Sequence, residues 1–215
     1  MVSSADTTER PVWRGWIHSA AFFVALPAAT ALVLIADSAA ARTSAAIYGA
    51  TLVIMFGTSA AYHRLARSEA ARKRMQRLDH AGIYLLIAGS YVPIAVVSLP
   101  MRWAIPLLSV VGGAAVFGVV MKVFAFGRLH RFTYALYPLM GWAAVVTAPA
   151  LVQYLTNWQL FFVVAGGVLY TIGIPILVLR RPDPWPMRFG YHEIWHGFVT
   201  VAAAFHFAAV ALIVA

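Results

Sequence analysis

Ser59 and His63 stand four residues apart, and so do His192 and His196. On an α-helix that spacing puts the two side chains one above the other on a single face. Two imidazoles so placed can grip one metal ion, and His63 supplies a third nitrogen if its helix touches that of the pair. Three neutral imidazoles with a fourth position left for water are a common catalytic zinc arrangement. The chain has no cysteine, so disulfides and thiolate sites are excluded and any metal falls to His, Asp or Glu. Asp79 is the acidic group that could accept a hydrogen bond from the water on such a zinc, whose pKa falls to about 7.

Each of these residues also has a plainer use. A lone His63 at a helix end is an interfacial hydrogen-bonder, Asp79 is a possible helix N-cap, and Ser59 is a small packing residue. Taken together on one face they favour a metal. The other histidines read differently. His18 and His80 are expected to be structural or interfacial, and His130 to be solvated in a basic loop. His206 lies ten residues beyond His196, about 15 Å along a helix, so it is expected to hydrogen-bond between helices rather than share an ion.

His192-Glu193-Ile194-Trp195-His196 also spells H-E-x-x-H, in which a zinc protease uses the glutamate as general base. An intramembrane metalloprotease is therefore a competing reading. Nothing after the last apolar stretch supplies a downstream acidic ligand, and Gly197-Phe198-Val199 does not continue the longer protease motif. Glu193 is expected to face the headgroups beside Arg188.

The elements that must position these groups follow from composition. Apolar residues make up 62% of the 215 and charged residues 11%, against about 45–50% and 25% in a soluble domain. A chain of this length cannot hide that much apolar surface from water, and lipid is the solvent that fits. Seven stretches reach the roughly 20 apolar residues that a crossing needs: 16–36, 45–65, 80–99, 103–121, 132–151, 158–179 and 191–214. The first reads as a span rather than a cleaved signal peptide. An all-α bundle of seven transmembrane helices is expected over 13–215, after a disordered polar arm at 1–12. Aromatic residues serve as interface anchors, and Gly112-Gly113 and Gly166-Gly167 as sites of close helix contact.

The net charge of +9 is organised. Of the 16 lysines and arginines, all but Arg42 and Arg102 fall in the arm or after spans 2, 4 and 6. With seven spans these segments share one side, so the positive-inside rule places the N-terminus in the cytoplasm and the C-terminus outside. The basic run 64–77 then reads as topology and contact with anionic headgroups rather than nucleic-acid binding. The same orientation brings Ser59, His63, Asp79, His192 and His196 to the cytoplasmic ends of spans 2, 3 and 7.

At these residues the chain resembles the hemolysin III family, the bacterial branch of the progestin and adipoQ receptor family. The resemblance runs from span 1 to span 7. It is carried by Thr58-Ser59-Ala60-Ala61-Tyr62-His63-Arg64, Arg77-Leu78-Asp79-His80-Ala81-Gly82-Ile83-Tyr84, Gly89-Ser90-Tyr91-Val92-Pro93 and His192-Glu193-Ile194-Trp195-His196, with weaker echoes at Tyr137-Pro138-Leu139-Met140-Gly141-Trp142 and Phe205-His206-Phe207. It implies seven helices with a cytoplasmic N-terminus, in the cell inner (plasma) membrane. It also implies a zinc ion (Zn2+) on His63, His192 and His196, with Asp79 holding its water and Ser59 beside them. The wider superfamily includes alkaline ceramidases, which hydrolyse a lipid amide, and the family name reflects a haemolytic, pore-like effect. The segment Arg14-Gly15-Trp16-Ile17-His18-Ser19 departs from the family in lacking the acidic and Asn residues that many relatives place before the histidine. The leading expectation is a zinc-dependent hydrolase of a lipid amide or ester, with membrane lipid as its partner. The alternatives are a receptor-like or membrane-homeostasis protein with structural zinc, and a cytolysin or channel.

Overall fold

The computed structural model describes residues 11–215; the expected arm lies outside the described residues except for Pro11 and Val12. Regular structure is helical: α1 (Trp16–Ile35), α2 (Ala39–Arg64), α3 (Glu69–Pro93, extended by a π turn Ile94–Ser98), α4 (Met101–Phe124), α5 (His130–Gly141), α6 (Ala143–Val146), α7 (Ala148–Tyr154), α8 (Asn157–Leu179) and α9 (Tyr191–Val214). Six of these, α1 to α4 with α8 and α9, are long and apolar enough to cross a membrane. The bundle is turned outward for lipid: Phe23, Leu34, Val110, Phe124 and Val146 are all two-thirds exposed or more. Water would not tolerate so continuous an apolar surface.

The expected fifth span is not one helix. Its residues form α5, α6 and α7, of 12, 4 and 7 residues, each short of the roughly 20 that span a bilayer. Pro138 inside α5 and the proline in the first turn of α7 each remove a backbone donor, which breaks the hydrogen-bond ladder at those points.

Helix α3 starts well before the expected span, at Glu69. Ser68 accepts from the Ala71 amide as its N-cap, and Glu69 pairs with Lys73 at 2.5 Å one turn on. The run 69–79 contains neither Pro nor Gly, so nothing stops the helix although its charges resemble a loop. Asp79 is therefore mid-helix, and the N-cap reading of it is overturned.

The first and last helices are neighbours, tied at both ends. At one end Val12 and Trp13 donate their amides to the carbonyls of Met187 and Arg188, at 3.2 and 3.1 Å. At the other, Asp37 donates to the carbonyl of Val214. Of the four glycines expected to bring helices together, only Gly166 does so, facing the His206 ring. A Cβ at Gly112, Gly113 or Gly167 would meet nothing within 4 Å.

Candidate metal centre

Helix α2 carries Ser59 and His63 to one end of the bundle, and α9 starts at that same end with His192, Glu193 and His196. The ligand nitrogens of His63, His192 and His196 all lie within 4.8 Å of one another. Nε2 of His192 is 3.3 Å from Nε2 of His63. A tetrahedral zinc with nitrogen ligands at about 2.0–2.1 Å sets those nitrogens about 3.4 Å apart. The three imidazoles are close enough to hold one metal ion, and an all-imidazole donor set suits zinc, copper, iron or nickel. His63 and His196 are buried, as a desolvated ligand set should be.

The structure brings Ser59 and Asp79 to each other. Ser59 is buried, and its hydroxyl interacts with the Asp79 carboxyl across the contact between α2 and α3. Its other partner was not anticipated. His18, from the first turns of α1, lies 2.8 Å from Ser59 Oγ through Nδ1. The His18 ring also stacks on that of His196, with centroids 3.8 Å apart and planes 8° from parallel. His18, expected to be structural or interfacial, is not interfacial: it is 3% exposed and lies against the cluster. The signal was present, since an ionisable residue inside an apolar span is costly without a purpose.

Glu193 does not face headgroups. It is 1% exposed, its Oε1 pairs with Arg14 Nε at 2.6 Å, and its Oε2 accepts from the Gly190 amide at 2.8 Å. Both oxygens are committed to closing the start of α9. Gly15 makes this closure possible. It sits at φ 80° with its α-carbon against His63, where a Cβ would come within 2.5 Å of the His63 Cβ. Arg64 lies over the Trp16 ring at 4.4 Å, which seals the outer side.

The remaining histidines stand apart from the cluster. His80 points the other way from α3, its Nδ1 3.0 Å from the Tyr134 hydroxyl. His206 donates from Nε2 to the carbonyl of Val163 at 3.1 Å, the interhelical bond expected of it. His130 is exposed at the start of α5.

An all-helical bundle with apolar outer faces and a histidine cluster sealed at one end defines a class of multi-pass membrane proteins. The sequence model of the haemolysin-III related family matches residues 7–207, and the chain belongs to this family, within the wider progestin and adipoQ receptor group. It is 30% identical over 195 residues to hemolysin-3 of Bacillus cereus, covering 88% of this chain and 85% of the other. It is 33% identical over 170 residues to the heptahelical transmembrane protein ADIPOR2 of Oryza sativa subsp. japonica, covering 71% and 73%. It is 26% identical over 207 residues to the monocyte to macrophage differentiation factor of Homo sapiens, covering 91% and 80%. Its place is the plasma membrane, as a multi-pass protein.

Proposed function

We propose that the protein is a zinc-dependent hydrolase of a lipid amide or ester, with the zinc held by His63, His192 and His196. The observation that carries this reading is the three-imidazole cluster at one end of a lipid-facing bundle, with Ser59 linked to His196 through His18 and in contact with Asp79. When bound, zinc supplies a Lewis acid and brings the pKa of water to about 7. Asp79 would orient and deprotonate the attacking water, and Ser59 would hold Asp79 in place. The Arg14–Glu193 pair would keep bulk water from the start of α9.

Glu193 is the general base in the competing protease reading. Its engagement with Arg14 and Gly190 favours Asp79 for that role instead. We further propose seven crossings, with 130–154 as a broken fifth, the N-terminus in the cytoplasm and the C-terminus outside. In support, the clustered end holds Arg14, Arg64 and Arg188, and one relative is named heptahelical.

The test is purified protein with its zinc measured, followed by an unbiased comparison of lipids between wild type and Asp79→Ala. Wild type is expected to hold one zinc per chain and His192→Ala to lose it. Asp79→Ala should keep zinc but lose turnover by at least a hundredfold, the lower end for a lost general base. Wild type without zinc sinks the metal centre. Zinc retained with lipids unchanged between wild type and Asp79→Ala sinks the hydrolase and leaves structural zinc in a receptor-like protein. Conductance in liposomes that survives zinc removal favours the cytolysin or channel reading, to which the name of the Bacillus cereus relative points.

A further inference from the structure

We infer that His18 is a positioning residue of the metal centre, acting through the Ser59 hydroxyl. This rests on the proposed metal centre but not on the hydrolase activity. The starting observation is that one buried ring makes two contacts. Nδ1 of His18 is 2.8 Å from Ser59 Oγ, and the ring stacks on that of His196 with centroids 3.8 Å apart. A buried hydroxyl is held by its hydrogen-bond partners, and His18 is one partner of Ser59.

The contacts continue from there. Ser59 also interacts with the Asp79 carboxyl, so its hydroxyl is held between His18 and Asp79. The stack of His18 on His196 holds that ring against a proposed metal ligand, so the Ser59 contact and the ligand set share one geometry. These contacts also link three helices, since His18 is on α1, Ser59 on α2 and Asp79 on α3.

The experiment uses the full chain, purified and loaded with zinc or Co2+. It reads the rate of metal loss to an excess of chelator and the visible bands of the Co2+ form. Outer groups that orient a metal site typically contribute 10–100-fold in metal affinity. His18→Phe keeps a ring against His196 but cannot hydrogen-bond Ser59; metal loss should be at least tenfold faster and the Co2+ bands should shift. His18→Asn places an amide, able to donate or accept, where Nδ1 was and should stay within about threefold of wild type. Ser59→Ala should match His18→Phe, and the double variant should be no worse than either single one, the signature of action through a shared contact.

The inference is overturned if His18→Phe holds metal like wild type, if His18→Asn fails as His18→Phe does, or if the two substitutions add. Wild type that binds neither metal is a different result, and it removes the metal centre itself.

Discussion

At the scale of single residues, burial separates Glu193 from the chemistry that its motif suggests. The carboxylate has one partner for each oxygen, Arg14 and the Gly190 amide. Glu193→Gln keeps the shape and one hydrogen bond but removes the charge that matches Arg14. Breaking a sealed ion pair costs ~3–5 kcal/mol; Arg14 is 19% exposed, so a loss of about 2 kcal/mol is expected. It should appear as a lower unfolding temperature in detergent, with zinc still at one per chain. Loss of turnover in Glu193→Gln without loss of stability would reinstate the protease assignment. The contrast with His192 and His196 explains what sequence could reveal here. Their shared face is fixed by a spacing of four within one helix, so it is readable without a fold. The commitment of Glu193 depends on Arg14, which lies 179 positions away along the chain, and no local pattern encodes that.

At the scale of elements, two glycines that look alike in sequence differ in what surrounds them. Gly15 is at φ 80° and pressed on His63, while Gly112 has open space where a Cβ would go. Gly15→Ala is expected to lift the chain off His63 and release zinc to a chelator at least tenfold faster. Gly112→Ala should leave zinc retention unchanged and stabilise α4 by about 0.5–1 kcal/mol, as alanine for glycine does within a helix. Parallel chelator and thermal-unfolding measurements on the two variants check both. The same contrast marks where helix reading from sequence succeeded. Apolar length located α1, α4, α8 and α9 to within a few residues. It missed the first eleven residues of α3, because hydropathy reports the solvent around a helix rather than the helix, and 69–79 carries charge without any breaker. It also joined α5 to α7, where prolines interrupt the ladder without lowering the hydropathy. That His18 lies against the cluster was not legible, because its partners belong to other helices, Ser59 on α2 and His196 on α9.

At the scale of the whole molecule, the lack of cysteine makes the crossings directly measurable. Single cysteines can be introduced at Arg74, Arg102, Arg131 and Asn157 and treated in intact cells with a membrane-impermeant maleimide. Labelling is expected at Arg102→Cys and Asn157→Cys but at Arg74→Cys and Arg131→Cys only after the cells are opened. Labelling of Arg131→Cys and Asn157→Cys from one side would mean that 130–154 does not cross. The tie between α1 and α9 has a consequence for synthesis as well. His18, His63 and Asp79 belong to the first three helices made, while two of the three imidazoles arrive on the ninth. A nascent chain therefore holds one of the three imidazoles in the membrane until translation reaches α9, and Arg14 waits as long for Glu193. The cluster is completed, and the arginine matched, only in the closing act of biogenesis.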